Sequence, residues 1–367
     1  MTTNTNERWK VLDTGEIPIG THLLQTKKER QDNYIKATTT YAHPSEIKAG
    51  SLGSVHPCSL FTQLQVMAMY AYALGMPLMM IPIITVSLWR TGFSPLSMSI
   101  VVFYTTLVII PVAKDDRQGW IRSGMLQALY QYSSYKVVWP EKIEKLFPVP
   151  CLGSGGPHGV FPLGALMSIP AMNEFLGIDF VGGMASVVFS TPGLRHITSI
   201  GGIDVSRKSV TKAILDEGKT VGIVSDGISG CFANATDDGV EMLAIADKKG
   251  IAKMALRHGL NVSVVHWFGN SQCLRPKVDS LGLLKVISRK AKASIFFFTG
   301  RFGLPIPTRQ PIVMCIGEGV LNSKKIPEPT KEQVDEMHAK IIAAHQKVFD
   351  DFKEAYGGSR MELKISS

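Results

Sequence analysis

Two long uncharged stretches dominate the pattern of hydrophobic and polar positions along the chain. The first covers Leu64–Trp89 and the second Ser94–Ala113, and only Arg90–Phe93 separates them. A helix of about 20 apolar residues is long enough to cross a bilayer. Pro77 and Pro82 interrupt the first stretch, and proline kinks membrane helices without excluding them. The pattern therefore predicts a tight helical hairpin whose first helix is bent or re-entrant.

Basic residues flank this hairpin on both sides, whereas the loop between its helices has Arg90 as its single charge. The flanking cations are Lys27, Lys28, Arg30, Lys36 and Lys48 before the hairpin and Lys114, Arg117 and Arg122 after it. By the positive-inside rule, both flanks are expected to face the cytosol. A hydrophobic hairpin buried in the core of a soluble protein is the alternative. Residues 1–50 lack the apolar core of a cleavable signal peptide.

The rest of the chain alternates short apolar runs with segments of helical spacing. Gly119–Leu146 has helical spacing ended by prolines, which predicts an amphipathic linker at the membrane surface. Beyond it the alternation is typical of an α/β sheet domain. Its segments are Gly182–Phe189, Ser206–Glu217, Thr220–Ser225, Lys248–His258, Asn261–Phe268 and Pro311–Ile316. A last helix is predicted over Lys331–Ala355, with Thr330 as N-cap and Gly357–Gly358 as its stop.

These patterns predict three parts of the chain. Residues 1–55 form a polar N-terminal tail, expected to be partly disordered because it is short of apolar residues. Residues 56–118 form the membrane hairpin, with helices over 64–89 and 94–113. Residues 119–367 form a cytosol-facing domain. The predicted fold class is α/β, a mixed sheet domain with an N-terminal membrane-embedded helical hairpin.

Charge and cysteine usage narrow the classes of function. Lys and Arg number 39 against 30 Asp and Glu, and the net charge of +9 suits an anionic ligand or an anionic membrane surface. The plain basic surface of a soluble protein is the alternative. The sequence has no helix-turn-helix, zinc-finger or aromatic RNA-binding pattern, so nucleic acid is not an expected partner. The five cysteines stand singly, which favours a reducing compartment and implies no metal site.

Glycines surround one histidine in Leu152–Gly159, whose sequence is Leu-Gly-Ser-Gly-Gly-Pro-His-Gly. Glycine lets the main chain approach a ligand closely, and Pro157 restricts the conformation just before His158. Acyl transfer from a thioester to an alcohol needs a general base, donors to the developing oxyanion and correct positioning. A loop of this kind can supply all three. A plain turn histidine is the alternative interpretation.

Two competing interpretations fit this loop less well. A dinucleotide fingerprint requires G-x-G-x-x-G spacing, which the loop lacks, and Pro157 falls where a helix N-terminus would need free amides. For covalent catalysis the candidate nucleophiles are Cys151, Ser154 and Cys231, but none of them lies in a Gly-x-Ser-x-Gly elbow. Direct transfer is therefore preferred to a covalent intermediate.

Ordered blocks along the chain carry a family resemblance. Residues 157–164 read Pro-His-Gly-Val-Phe-Pro-Leu-Gly, and the later blocks are Pro192–Arg195, Gly201–Ile203, Ser206–Ser209, Lys248–Gly259, Val262–Val265, Phe268–Gly269, Gly300–Pro307 and Pro327–Thr330. Together with the early hydrophobic hairpin, these blocks resemble the diacylglycerol acyltransferase type-2 family, which includes monoacylglycerol acyltransferases and wax synthases.

The resemblance implies an acyltransferase domain with a glycerolipid-acyltransferase-like mixed sheet, in the endoplasmic reticulum membrane or at a lipid droplet. It implies acyl-CoA as co-substrate, with no further cofactor, and diacylglycerol as the acceptor that becomes triacylglycerol. Monoacylglycerol and long-chain alcohols remain open as acceptors. His158 matches the second histidine of the family's HPHG motif and is implied as the general base, with Pro157 and Gly159 beside it. Membrane lipids are further expected partners, and a homo-oligomer is left open.

This chain departs from the family pattern at three places. Gly156 stands where the motif has its first histidine, and Gly230 stands where a Gly-Gly-x-x-Glu segment has its glutamate. Asp226 is the candidate carboxylate to take over from that glutamate. A lipid-binding scaffold that lost turnover is the rival interpretation. The family's Tyr-Phe-Pro element is not evident, and Val138–Pro140 is the nearest match.

Cations near the matching blocks are candidates to bind the phosphates of coenzyme A. They are Arg207, Lys208, Lys248, Lys249, Lys253 and Arg257. Solvated helix faces are the alternative for each of them. Asp238 and Glu241 are expected as structural acids that pair with these cations, and His258 and His266 as core histidines. A small transporter is disfavoured, because two spans cannot enclose a pathway.

Overall fold

The computed structural model of the chain has one central sheet with helices on both faces. It describes residues 8–14, 26–142, 150–233, 239–277, 283–291, 297–317, 324–358 and 360–367. Its strands are β1 Trp9–Asp13, β2 Thr38–Tyr41, β3 Lys136–Pro140, β4 Cys151–Gly156, β5 Phe180–Met184, β6 Gly202–Asp204, β7 Thr220–Val224, β8 Val240–Leu243, β9 Asn261–Phe268, β10 Arg275–Pro276, β11 Phe298–Thr299, β12 Val313–Ile316 and β13 Glu362–Ile365. Its helices are α1 Lys27–Lys36, α2 Leu60–Tyr70, α3 Met76–Thr91, α4 Pro95–Ile109, α5 Arg117–Arg122, α6 Met125–Tyr132, α7 Leu163–Glu174, α8 Leu194–Ile197, α9 Arg207–Leu215, α10 Gly227–Phe232, α11 Gly250–His258, α12 Leu283–Ala291 and α13 Lys331–Tyr356.

The largest sheet of the described residues has nine strands in the order β2-β1-β3-β12-β9-β4-β7-β5-β6. Strands β9, β4, β7, β5 and β6 run parallel to one another. By contrast, β12 is antiparallel to β9, and β1 is antiparallel to both β2 and β3. This mixed sheet confirms the predicted α/β class. The predicted segments Thr220–Ser225 and Asn261–Phe268 correspond to β7 and β9.

Helices bury each face of the sheet in a separate core. Successive side chains of a strand point to opposite faces, so Val137 of β3 lies in one core and Val138 in the other. The first core holds α2, α6 and α7, and the second holds α11 and α13. Phe349 of α13 is fully buried and stacks on Phe268 of β9. Complete burial of such a side chain contributes about 1.5–3 kcal/mol to folding.

The C-terminal helix α13 confirms the prediction made for Lys331–Ala355. Thr330 accepts a hydrogen bond from the main-chain N–H of Gln333, and the Gln333 side chain accepts one from Thr330 N–H. This capping box satisfies two donors that a helix start leaves unpaired. Gly357 follows the last helical residue, as the sequence predicts.

The hydrophobic hairpin is present as α2, a π-helical turn over Ala71–Gly75, α3 and α4. Among the described residues, no single helix is long and apolar enough to cross a membrane. The two segments Leu60–Met80 and Pro82–Thr91 are long and apolar enough when taken together, and the chain bends by 45° between them. Pro82 has no N–H to donate to the preceding turn, which explains a bend at this point. The second stretch ends as a helix at Ile109, because Pro111 disfavours helical geometry in the residue before it.

The first 55 residues contribute more than the polar tail that their composition predicts. β1 pairs with β2 on one side and with β3 on the other, so two strands of the main sheet come from this segment. Helix α1 packs on α7 through a buried ion pair between Arg30 and Glu174, with 2.8 Å between nitrogen and oxygen. Removing one partner of such a pair leaves an uncompensated buried charge. The sheet domain therefore begins before the hairpin, and the hairpin interrupts it.

The prediction of a surface linker over Gly119–Leu146 is also wrong for the part that the structure describes. Leu126–Tyr130 of α6 are buried in the first core, and all five residues of β3 are buried between β1 and β12. The helical spacing reflects packing against the sheet rather than against a membrane. Residues 143–149 lie outside the described part of the chain.

Candidate active site

His158 lies at the carboxyl end of β4, where the parallel strands end together. β7 flanks β4 on one side and β9 on the other, so the residues that follow these three strands meet at one edge. His158 follows β4, Asp226 follows β7 and Asn270 follows β9. Ligands of open α/β sheets bind at this edge. The structure thus brings together four residues predicted from the sequence: Pro157, His158, Gly159 and Asp226.

One ring nitrogen of His158 is tied to the loop. Nδ1 lies 2.9 Å from the carbonyl oxygen of Gly159, and it must donate because a carbonyl oxygen only accepts. In the neutral imidazole, that hydrogen bond fixes the tautomer and makes Nε2 the acceptor nitrogen. Gly159 has φ +62°, and a Cβ there would lie 3.0 Å from Asn270 Nδ2, so glycine is required. His158 is partly exposed at this edge of the sheet.

A buried thiol contacts the same ring. Cys231, on α10, has its Sγ 3.4 Å from His158 Nδ1. The sequence suggests Cys231 only as one of three possible nucleophiles, because its distance from His158 along the chain hides the contact. Its side chain is fully buried, which argues against direct attack on a substrate. Its contact with the imidazole gives it an electrostatic effect on His158.

The pKa of His158 reflects these surroundings. Burial lowers it, whereas Cys231, Asp226 and the hydrogen bond to Gly159 raise it, and the balance holds the pKa of His158 at about 9. A histidine with this pKa is mostly protonated at neutral pH. If His158 acts as a general base, the pH of the medium controls how much of the enzyme is active, because a general base must be unprotonated.

We expect kcat/KM for acyl transfer to rise with pH and to level off near the pKa of His158, about 9. Below that pKa the neutral fraction falls about tenfold per pH unit, so the rate should follow it. Cys231→Ser removes a group that raises the pKa of His158, and its profile should shift to lower pH. A pH–rate profile of the purified enzyme measures both effects.

Cys151→Ser is the matched control for this experiment, since Cys151 is a buried thiol at the opposite end of β4. It should keep the wild-type profile. A Cys231→Ser enzyme that is inactive at every pH would contradict an electrostatic role and favour a covalent one.

Asp226 is completely buried between His158 and Lys248. Its Oδ2 accepts a hydrogen bond from the main-chain N–H of His158 at 3.0 Å, and Lys248 Nζ donates to its main-chain oxygen. Burial raises the pKa of Asp226, while His158 and Lys248 lower it. The carboxylate therefore holds the main chain of His158 in place.

Gly230 leaves the space that the Asp226 carboxylate fills. A Cβ at position 230 would lie 2.2 Å from Asp226 Oδ2, far inside van der Waals contact. Aspartate at 226 and glutamate at 230 thus exclude each other in this arrangement. Gly156 is constrained in the same way, because a Cβ there would lie 2.2 Å from Cδ1 of Leu243. A histidine at this position, as in the family motif, would require the Leu243 side chain to move.

Asn270 is a functional candidate that the sequence did not reveal. Its Nδ2 donates to the carbonyl oxygens of Pro157 at 3.1 Å and His158 at 2.7 Å, and its Oδ1 accepts from Gly164 N–H at 3.0 Å. This buried side chain therefore fastens both ends of the His158 loop to the end of β9. The signal in the sequence is a polar residue directly after the Phe268–Gly269 block.

Asn270→Ala is expected to lower the free energy of unfolding by about 1–3 kcal/mol, because buried carbonyl and amide groups lose their partner. It should also lower kcat, since the His158 loop is then less firmly held. Chemical denaturation and initial rates on one preparation measure the two effects. Asn261→Ala, at the partly exposed start of β9, is the control. An unchanged kcat would remove Asn270 from the positioning of His158.

The predicted coenzyme A cations are not all brought to one place. Lys248 lies beside Asp226, and Arg207 and Lys208 are exposed in the first turn of α9, directly after β6 at the same edge of the sheet. Lys249 instead pairs with Asp335 of α13 at 2.5 Å. Arg257 precedes the start of β9, so it lies at the opposite edge of the sheet. Lys253 is exposed on α11.

The sequence predicts that Asp238 and Glu241 pair with these cations, and the structure describes one of the two. Glu241 is buried and pairs with His266 at 2.6 Å rather than with a cation of α9 or α11. His266 is thus a core histidine, as expected, whereas His258 is partly exposed at the end of α11. Asp238 lies outside the described residues.

Known proteins resemble this chain over much of its length. The family model described as diacylglycerol acyltransferase matches residues 90–366. Diacylglycerol O-acyltransferase 2 of Xenopus tropicalis is 25% identical over 282 residues, which are 70% of this chain and 77% of that protein. Diacylglycerol O-acyltransferase 2-like protein 6 of Mus musculus is 27% identical over 323 residues, 80% of this chain and 90% of that protein. 2-Acylglycerol O-acyltransferase 1 of Bos taurus is 29% identical over 228 residues, 57% of this chain and 67% of that protein.

No solved structure matches the chain significantly. The family model covers well over half of the chain, including β4, the His158 loop, Asp226 and Asn270. This match confirms the resemblance drawn from the sequence blocks. The chain belongs to the diacylglycerol acyltransferase family of acyltransferase enzymes.

Proposed function

We propose that the protein transfers a fatty acyl group from acyl-CoA to the free hydroxyl of diacylglycerol and so forms triacylglycerol. The observation that carries the proposal is the partly exposed imidazole of His158, with Nδ1 tied to Gly159 and Nε2 as acceptor, at the ligand-binding edge of the sheet. Several relatives are named diacylglycerol O-acyltransferases, which supports this acceptor over others.

In the proposed reaction, Nε2 of His158 takes the proton of the lipid hydroxyl as its oxygen attacks the thioester carbonyl. The new C–O bond forms, the C–S bond breaks, and the protonated imidazole returns the proton to the leaving coenzyme A thiolate. Gly159 is the candidate oxyanion donor of the loop. Pro157 has no N–H, and the N–H of His158 is already bonded to Asp226.

The cations at the carboxyl edge of the sheet support a position for coenzyme A. Arg207 and Lys208 are exposed there beside β6, which lies three strands from β4 and hence about 14 Å away at normal strand spacing. We propose that they bind the phosphates, while Lys248 is nearest to the reacting atoms. Lys249 has a competing partner in Asp335, and Arg257 lies at the wrong edge of the sheet.

A small apolar cavity of about 20 Å³, which has room for one water molecule, marks where the helices would have to part to admit an acyl chain. It lies between α2, α5, α6 and the first turns of α7, and α7 begins shortly after His158. Its lining is almost entirely apolar, formed by Met69, Tyr70, Trp120, Leu129, Leu163, Leu166, Met167, Ile197 and Ile200. We propose that an acyl chain enters this region from the side of the hydrophobic hairpin.

The sheet topology supports a hairpin that leaves the bilayer on the side where it entered. β1 and β2 precede the hairpin and β3 follows it, yet all three pair side by side. Strands cannot pair across a bilayer, so the segment between them crosses an even number of times or not at all. We propose the endoplasmic reticulum membrane, with both flanks in the cytosol, and lipid droplets as a further location.

The test is product analysis in cells that lack neutral-lipid synthesis, followed by purified enzyme in vesicles with labelled acyl-CoA and one acceptor at a time. Labelled triacylglycerol from diacylglycerol is the expected result. Labelled diacylglycerol or wax ester as the main product would instead assign monoacylglycerol or a fatty alcohol as acceptor. Binding of acyl-CoA without any transfer would replace the enzyme by the lipid-binding scaffold.

A further inference from the structure

A second apolar surface lies outside the hydrophobic hairpin. Helix α12 exposes Leu283, Val286 and Ile287, which share one face at helical spacing, while Ser288 on the other face is buried. The segment that follows exposes Phe297, Phe302 and Leu304, with 69% of the Phe297 side chain and 71% of the Phe302 side chain accessible. We call these six apolar residues, together with the cations described next, the cationic apolar surface. Large exposed apolar patches of this kind mark interaction sites.

The same part of the chain concentrates positive charge. Residues 271–309 contain eight Lys and Arg residues and one acid, Asp279, so +7 of the chain's net +9 lies within them. Of these cations, Arg275, Lys277 and Lys290 are exposed. Exposed apolar side chains in a cation-rich part of the chain are the chemistry that binds an anionic lipid surface. Two copies of this surface would repel each other, which disfavours a self-association interface.

The turn that presents Phe302 is strained. Phe302 has φ 60° and ψ 22°, a left-handed conformation that is a genuine outlier for a bulky residue. Main-chain hydrogen bonds from Gly300 to Leu304 and from Arg301 to Ile306, both 2.7 Å, maintain the turn. The Arg301 guanidinium lies 4.9 Å from the centre of the Phe302 ring. Such strain persists where the surroundings enforce it, and it clusters at functional positions. Here it holds an aromatic ring in solvent.

Contacts join this turn to the hydrophobic hairpin and to the active site. Arg301 Nη1 donates to Gln63 Oε1 of α2 at 2.8 Å, and Pro305 lies against Gly75 in the π-helical turn. Beside Gln63, α2 exposes Leu60, Phe61 and Leu64. At its other end the surface is formed by α12. That helix packs on α10, which begins directly after Asp226. The cationic apolar surface therefore continues the apolar face of α2 toward the active site.

From these observations we propose that the cationic apolar surface binds anionic phospholipid headgroups and inserts its apolar side chains into the leaflet that holds the hairpin. The proposal rests on the membrane location given under Proposed function. The bilayer then has two attachments, the hairpin and this surface next to it. Such an arrangement holds the opening of the site against the lipid phase, where a diacylglycerol dissolves.

The test uses full-length enzyme in phosphatidylcholine vesicles with and without phosphatidylserine. Cys58, the one cysteine that is not buried, is replaced by serine, and a nitrobenzoxadiazole fluorophore is attached at Val286→Cys or Phe302→Cys. Nitroxide groups on the lipid chains should quench both labels, and phosphatidylserine should increase the quenching. Ala339→Cys is the control, because it is exposed on α13 at the opposite face of the sheet, and its label should stay unquenched.

Labels at 286 and 302 that are quenched no more than the label at 339 would overturn the proposal. If the lipid nitroxides do not quench the labels, but the labels quench one another as the enzyme concentration rises, the surface binds a second copy of the chain instead. The measurement is repeated in the His158→Ala background, so its outcome does not depend on catalysis. In a separate arm, Phe302→Asn retains a residue that tolerates left-handed backbone. It should raise the apparent KM for vesicle diacylglycerol several-fold without changing kcat.

Discussion

His158→Ala is expected to lower acyl transfer by about 10²–10⁴-fold, the usual contribution of a positioned general base. The substitution removes the Nε2 acceptor and should leave the fold intact, because His158 is partly exposed and its ring contacts only Gly159 and the Cys231 thiol by hydrogen bonds among the described residues. The measurement is the initial rate of triacylglycerol formation from labelled acyl-CoA in vesicles, at saturating diacylglycerol. Thermal unfolding of the same preparation checks that the enzyme is folded.

His258→Ala is the matched control for this variant. His258 is a partly exposed histidine at the end of α11, at the edge of the sheet opposite His158. It should retain wild-type activity. If His158→Ala also retains activity at normal expression, His158 is not the base and the mechanism proposed above is wrong.

The second large effect is expected at Gly230. In Gly230→Ala the new methyl group overlaps Asp226 Oδ2, whose distance from an ideal Cβ is 2.2 Å. Overpacking of this kind costs about 1–3 kcal/mol. The displaced carboxylate also releases the main-chain N–H of His158, so the rate should fall by more than about tenfold, as expected when a catalytic group is misplaced. Unfolding and initial rates on the same protein separate the two losses.

Gly250→Ala controls for the loss of a helical glycine, because a Cβ at position 250 meets nothing within 4 Å. It should leave both stability and rate unchanged. Gly230→Glu should be worse than Gly230→Ala, and the double variant Asp226→Gly with Gly230→Glu should regain part of the stability. If Gly230→Glu alone is as stable and active as wild type, the two positions do not compete for one space.

Elements with local signals were predictable from the sequence. Helix α13 has a capping box at its start, a glycine at its end and an apolar stripe between them, so nothing distant is needed to define it. Strands β1 and β2 show the opposite case. β2 is a threonine-rich, largely solvent-facing strand, and β1 has its second neighbour, β3, beyond the hairpin. Long-range pairing of this kind leaves no local pattern to read.

The residues of the candidate site also differ in whether the sequence alone predicts them. His158 and its loop are contiguous, and the family motif identifies them. The sequence suggests Asp226 as the candidate to replace the family's glutamate, but its contact with the main chain of His158 depends on β7 lying beside β4. Asn270 and Cys231 reach the loop from other elements, so only the fold reveals their contacts. The prediction that α6 lies at the membrane surface was wrong, because apolar residues have the same helical spacing whether a helix faces a sheet or a membrane.

Strand β1 pairs with β3, a strand that is synthesised only after the hairpin. The ribosome releases β1 and β2 before the hairpin, β3 after it, and β12, the other neighbour of β3, only near the end of the chain. The early strands can pair with each other at once, but β1 must wait for β3 until the hairpin has been synthesised. In the finished protein they cover the main-chain N–H and C=O groups along one side of β3. A chain shortened by these residues would expose a ready template for strands of other molecules, and aggregation would precede any loss of catalytic geometry.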